Sequence, residues 1–225
     1  QSRTRHTLFM TGPDDTSVRI ARELLRIGAV TFSPEDLFTW ASGIQSPVYV
    51  DNRLTIGYPD VRKSITDGFV SLMESHRIEV GAVVGTATAG IPHAAWLADR
   101  LDLPMAYVRG SAKRHGHRHK VEGFVEKDSS VVVVEDLVST GGSSLDVVDT
   151  LRDAGARVIA VMAIFTYGMK RAVGAFRDAD VTLHCLTDFN TVLEVALADG
   201  TLQAGDEATI REWHGRLVTA RPDAE

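Results

Sequence analysis

Two acids, Glu135 and Asp136, stand directly after a run of four valines, Val131 to Val134, and Thr140-Gly141-Gly142 follows within a few residues. Glycines at such a turn let the backbone approach a ligand closely, and Ser144 is placed to open a helix. Exposed N–H groups at a helix N-terminus, joined by the hydroxyls of Ser139, Thr140 and Ser143, form a site for one phosphate. Carboxylates beside a phosphate repel it unless they serve another part of the ligand. Vicinal sugar hydroxyls, or a magnesium ion bound to them, suit Glu135 and Asp136. A ribose 5-phosphate meets both demands; the plainer alternative is an acidic, glycine-containing turn with no ligand.

Two other segments have unusual chemistry. Thr86, Ala87, Thr88, Ala89 and Gly90 follow Gly85 in a loop of small residues. It is not a P-loop, because Ile91 stands where Lys-Ser/Thr would be needed. Its backbone amides could cradle a second phosphate, and an ordinary strand-to-helix turn is the competing reading. Arg109 to Lys120 reads RGSAKRHGHRHK, three arginines, two lysines and three histidines without an acid. Such self-repelling charge cannot be core, so the segment is either a solvated basic loop or a lid for a polyanion. His115, His117 and His119 alternate within fixed cations, which makes a poor metal site.

The elements that must position these residues are legible as patterns. Short, uniformly apolar runs at Val80 to Val84, Met105 to Val108, Val131 to Val134 and Val158 to Phe165 alternate with helical stretches at His93 to Leu101 and Ser144 to Ala154. Strands this apolar are buried on both faces, as in a parallel sheet between helix layers. The fold class expected is α/β, a doubly wound parallel sheet, with ligands beyond the carboxyl ends of the strands. Val18, Ile20, Ala21, Leu24 and Leu25 predict a first helix, capped by Thr16 or Ser17 and stopped at Gly28. Val61, Ile65, Phe69 and Met73 predict a second over about 60–76. A loose leader over 1–15, one domain over 16–200 and a helical C-terminal extension over 201–225 complete the organisation.

Composition narrows the class. At 225 residues one sizeable core is expected, and no second large catalytic domain within it. Cys185 is the only cysteine, which excludes an intramolecular disulfide and reads as a small buried hydrophobe in a reducing, cytoplasmic setting. A net charge of -6 argues against a nucleic-acid partner, and the apolar runs are too short for a membrane span or signal peptide.

With these loops assembled, the sequence resembles the type I phosphoribosyltransferases and, within them, the orotate phosphoribosyltransferase family. The resemblance runs from about Val30 to Ala198 through FTWASGIQSPVYVDNR (Phe38 to Arg53), GTATAGIPHA (Gly85 to Ala94), YVRGSAKRHG (Tyr107 to Gly116) and EDLVSTGGSS. It implies a parallel-sheet core with a small N-terminal hood over about 30–57, and a homodimeric, magnesium-dependent enzyme of pyrimidine (UMP) biosynthesis. Such an enzyme joins orotate to the phosphoribosyl group of phosphoribosyl pyrophosphate. By this resemblance Glu135, Asp136, Leu137, Val138, Ser139, Thr140, Gly141, Gly142 and Ser143 bind the ribose 5-phosphate. Arg109, Lys113 and His115 contact pyrophosphate, the last two reaching into the partner's site, and Thr86 to Gly90 form the pyrophosphate loop. Lys113, His115 and Asp136 are the expected catalytic residues. Ser139, Tyr49 and Val50 line the orotate pocket, and magnesium is held mainly through substrate with Glu135 and Asp136 nearby.

Some positions depart from the pattern. Ala41, Ala89 and Gly110 stand where some members carry lysine, and Phe165-Thr166-Tyr167-Gly168 stands where an arginine can follow a strand to hold orotate. Arg53 is the nearest spare cation in the hood segment and becomes the expected partner of the orotate carboxylate. Competing readings are a purine or uracil phosphoribosyltransferase, against which the Phe38 to Arg53 segment speaks, and a phosphoribosyl pyrophosphate sensor that controls gene expression. A binding protein with a decayed site is countered by intact Lys113, His115, Glu135 and Asp136.

Overall fold

The computed structural model describes residues 15–40, 45–109 and 120–220. The expectations for Ala41, Gly110, Lys113, His115, His117 and His119, and for nearly all of the leader, lie outside the described residues. In chain order the elements are α1 (Asp15–Arg26), β1 (Val30–Phe32), β2 (Phe38–Thr39), β3 (Gln45–Ser46), β4 (Val48–Val50), a 3-10 helix (Asn52–Gly57) and α2 (Pro59–His76). Then follow β5 (Ala82–Thr86), α3 (Gly90–Leu101), β6 (Met105–Arg109), β7 (Lys120–Gly123), β8 (Ser130–Val138), α4 (Gly142–Asp153) and β9 (Arg157–Thr166). The chain continues through α5 (Lys170–Asp178), β10 (Thr182–Asp188), α6 (Phe189–Ala198), a 3-10 turn (Ala204–Asp206) and α7 (Glu207–Thr219).

Six strands form the central sheet in the order β10-β9-β8-β5-β6-β7, all parallel except the β6–β7 pair. After β5 the chain moves through α3 to β6 on one side; after β8 it moves through α4 to β9 on the other. Right-handed crossovers in opposite directions put α3 and α4 on opposite faces of the sheet. Both faces are therefore covered, and Val131, Val132, Val133 and Val134 at the centre are fully buried. β-Branched side chains suit such a strand because their restricted rotamers pack well on a pleated surface. Ahead of the sheet, β1 pairs antiparallel with β4 and β2 with β3, making two small ribbons.

Several boundaries differ from expectation. Helix α1 begins at Asp15, so Thr16 and Ser17 lie inside it, and the buried Ser17 hydroxyl donates to Thr187 Oγ1 at 3.3 Å. Helices α3 and α4 begin at Gly90 and Gly142, earlier than His93 and Ser144. Elements α5, α6, β7 and β10 were not anticipated. Cys185 packs against the core, and burial holds its thiol above the usual range. Among the described residues no helix is long and apolar enough to cross a membrane.

Candidate active site

The strand order reverses between β5 and β8, and a crevice opens there because the two following crossovers diverge. A cavity of about 380 Å³ occupies it, lined by Ala87, Thr88 and Ala89 after β5, by Glu135, Asp136 and Leu137, by Ser143 of α4, and by Val50 to Arg53 from the hood segment. A second cavity of about 360 Å³ is lined by Thr39, Trp40, Tyr49, Val50, Leu137, Ser139 and Tyr167. The two share Val50 and Leu137 and are neighbours.

The first cavity is acidic. Strand β8 continues to Val138, so Glu135 and Asp136 are strand residues, not loop residues. Glu135 is buried at 5 % exposure. One of its oxygens accepts from the Ser144 hydroxyl at 3.0 Å, and the other accepts from the Asp136 backbone N–H at 3.1 Å. Burial, followed by the charge of Asp136, pushes the Glu135 carboxyl up to about 8. Burial raises Asp136 as well. A third carboxylate, Asp51, accepts both Nε and Nη2 of Arg53, at 2.6 and 2.7 Å. The fork holds Asp51 below its ordinary value and the guanidinium above its own.

Behind these groups a neutral network ties the hood segment to the sheet. Asn52 is buried, and its Nδ2 donates to the Asp136 carbonyl at 2.7 Å, while its Oδ1 is buried without a partner. The Thr55 hydroxyl donates to the Asn52 carbonyl at 2.5 Å, so the 3.0 Å contact between Thr55 Oγ1 and His93 Nε2 must be donated by the imidazole. His93 is thus the neutral Nε2–H tautomer, consistent with burial pulling it down to about 4. Gly90, the first residue of α3, belongs to packing more than to ligand approach: a Cβ there would meet the Val134 carbonyl oxygen at 2.4 Å. Gly141 has φ +86°, in the left-handed region that favours glycine, and a Cβ there would meet the Phe176 ring at 2.6 Å.

The second cavity is aromatic. Trp40 and Tyr167 have ring centroids 5.3 Å apart, and Trp213 of α7 meets Trp40 edge-on at 5.9 Å. The Trp213 N–H donates to the Gln45 carbonyl at 3.1 Å, which joins α7 to the hood ribbon. His214 donates to the Tyr167 carbonyl at 2.7 Å and stacks on Phe189 at 3.9 Å. Burial, then the neighbouring Tyr49, holds the Tyr167 phenol above its ordinary value, so it remains a proton donor.

The expected site residues therefore divide. Glu135, Asp136, Leu137, Ser143, Val50, Arg53, Ala87, Thr88 and Ala89 line the acidic cavity, whereas Tyr49, Ser139, Val50 and Leu137 line the aromatic one. Thr140, Gly141, Gly142, Thr86 and Gly90 line neither. The Val138 side chain is core, and its carbonyl accepts from Thr166 Oγ1 at 3.0 Å. Arg109 ends β6 and pairs with Glu122 of β7 at 3.5 Å, the ladder bringing Arg109 opposite Lys120. Asp51, Asn52, Thr39, Trp40 and Tyr167 were not foreseen as lining residues. The polar pair closing an apolar run at Asp51-Asn52 was the available signal; for Trp40 it was only proximity in sequence.

Magnesium prefers oxygen ligands, keeps waters and takes one or two carboxylates together with substrate phosphates. Adjacent Glu135 and Asp136 fit that demand. Among the described residues no cluster of three acidic, His or Cys side chains offers a complete protein cage.

Residues 59–196 match the family model described as "Phosphoribosyl transferase domain". The orotate phosphoribosyltransferase of Staphylococcus haemolyticus is 52% identical over 198 residues, covering 88% of this chain and 98% of that protein. The crystal structure of orotate phosphoribosyltransferase from Aeropyrum pernix superimposes with a TM-score of 0.71 at 33% identity, over 78% of this chain and 96% of that one. The Mycobacterium tuberculosis H37Rv orotate phosphoribosyltransferase in complex with 5-phospho-alpha-D-ribosyl 1-diphosphate matches with a TM-score of 0.61, over 79% of this chain and 98% of that one. At 20% identity that last likeness is one of fold. Sequence identity above one half across nearly the full length of the staphylococcal protein, on a sheet of the same architecture, means that this chain belongs to the orotate phosphoribosyltransferase family of phosphoribosyl transferase domain proteins.

Proposed function

We propose that this protein transfers the phosphoribosyl group of phosphoribosyl pyrophosphate to orotate, giving orotidine 5'-monophosphate and pyrophosphate, as a cytoplasmic, magnesium-dependent homodimer. The observation that carries this reading is the adjacency of an acidic cavity at the strand-order reversal to a flat aromatic one. The first suits a sugar with vicinal hydroxyls and the second a planar base, and transfer needs the two side by side.

Orotate N1 forms a bond to ribose C1 as the bond from C1 to the pyrophosphate oxygen breaks, and the N1 proton is released. Positive charge develops on the sugar and negative charge on the leaving group. Glu135 and Asp136 bind the ribose hydroxyls, and Asp136 offsets the sugar's charge at short range. Hydroxyls of Ser139, Thr140 and Ser143, with the amides opening α4, hold the 5-phosphate. Thr86 to Gly90, Arg109, Lys113 and His115 hold pyrophosphate, and Lys113 and His115 are lent by the partner subunit. Tyr49 and Val50 flank the base. Glu135 and Asp136 would help hold a magnesium ion brought in with the donor, and such an ion would supply charge neutralisation for the leaving group.

The test mixes purified protein, magnesium and phosphoribosyl pyrophosphate and follows orotate by its ultraviolet absorbance, beside uracil, adenine and hypoxanthine. Consumption of orotate alone, abolished by chelating magnesium, is expected. Consumption of a purine or uracil instead would assign another base, and donor binding without turnover of any base would favour the sensor reading.

A further inference from the structure

The aromatic cavity poses a problem of charge. Orotate carries a carboxylate, yet among the described residues no Lys, Arg or His lines this cavity. Arg53, the expected partner, lines the neighbouring acidic cavity and is forked onto Asp51. The Trp40 N–H donates to the Val48 carbonyl at 3.3 Å, and the Thr39 hydroxyl, at the exposed rim, accepts from Gln45 Nε2 at 2.9 Å. Tyr167 is different. It is 4 % exposed, and its hydroxyl has no hydrogen-bond partner among the described residues. Tyr167 lines the cavity, so this unpaired hydroxyl is free to donate to a ligand there. Its ring is held from several sides, by Trp40 at 5.3 Å, Phe165 at 5.1 Å and Trp213 at 6.5 Å, while His214 fixes its backbone carbonyl. The phenol is therefore a preorganised donor on the wall of the aromatic cavity.

We propose that Tyr167 is a base-binding residue whose hydroxyl, with that of Ser139, hydrogen-bonds the orotate carboxylate, so that neutral donors take the place of a cation. This rests on the orotate reading above. A carboxylate can be held by neutral donors because hydrogen bonds to a charged acceptor are stronger than neutral ones. Ser139 follows β8 and Tyr167 follows β9, adjacent parallel strands, so both hydroxyls come from one sheet edge.

The test is Tyr167→Phe, which keeps the ring and its packing, measured beside wild type and Arg53→Ala. The expected result is an orotate KM, and an orotate Kd from quenching of tryptophan fluorescence, raised about 10- to 100-fold, the size of losing one hydrogen bond to a charged group. The KM for phosphoribosyl pyrophosphate and the Tm stay at wild-type values. An unchanged orotate KM in Tyr167→Phe, or an orotate-specific loss confined to Arg53→Ala, overturns the proposal while the orotate activity of wild type stands. Wild-type protein that consumes no orotate would remove the underlying reading and this assignment together.

Discussion

Adjacent carboxylates are costly to bury, and Glu135 shows how the cost is met. It retains a proton to about 8 because burial and Asp136 both oppose its ionisation. The folded value lies above the ordinary 4.5, so the folded state binds more protons than the unfolded state in the window between them. Below pH 4.5 the group is neutral in both states and imposes no penalty. Stability of the ligand-free protein should fall as pH rises from about 5 to 8 and level off above that. Thermal melts across this range should show a decline that Glu135→Gln flattens, by at least about 2–4 °C, the shift expected of ~1 kcal/mol in a chain of this size. A melt whose pH slope is unaltered in Glu135→Gln would remove the carboxylate from that role. Lys113→Ala should lower kcat about 10²- to 10³-fold, the range for losing one well-placed stabilising group. A loss confined to KM would instead indicate uniform binding.

Two elements do more than fill space. Helix α3 starts against β8 so closely that Gly90 leaves no room for a Cβ, and the small-residue loop before it inherits its position from that contact. Gly90→Ala should displace the loop and destabilise the protein by about 1–3 kcal/mol, the usual cost of overpacking, with a weakened KM for phosphoribosyl pyrophosphate. Unchanged melting and donor KM would mean that the loop is positioned otherwise. Helix α7 lies outside the family-model match yet closes the aromatic cavity from behind through Trp213 and His214. Its Ile210, Trp213 and Leu217 are buried at helical spacing, so the tail's pattern was readable while its destination was not. Trp213→Ala should cost about 3–5 kcal/mol, as truncation of a large buried aromatic does. It should also raise the KM for orotate more than that for the sugar donor, because Trp213 contacts Trp40 and Tyr167 and lines neither cavity. Equal changes in both constants would make α7 a general stabiliser only.

At the scale of the whole molecule, the proposed reach of Lys113 and His115 into a partner's site would make the subunits complementary. Lys113→Ala and Asp136→Asn proteins should each be nearly inactive, and unfolding and refolding them together should restore activity, since some mixed dimers then contain one intact site. Restoration absent despite mixed dimers, verified by tag pull-down, would confine Lys113 to its own subunit. The sequence by itself determined the class of the molecule. Uniformly apolar runs could only be strands buried on both faces, and acids followed by a Thr-Gly-Gly turn could only be useful at a strand end. The α6, β7 and β10 elements escaped that reading because local periodicity is weak in short or largely buried segments, whereas α5 was missed although its apolar face was legible. Pocket membership also lay beyond it. Asp51 and Asn52 meet Asp136 across more than eighty residues of chain, and Tyr167 meets Trp40 across more than one hundred. Periodicity reports which face of an element is apolar, whereas strand order and crossover direction decide which faces and ends come together. Arg53 illustrates the difference: a spare cation by sequence, it spends its fork on Asp51, and an uncharged tyrosine holds the wall of the aromatic cavity.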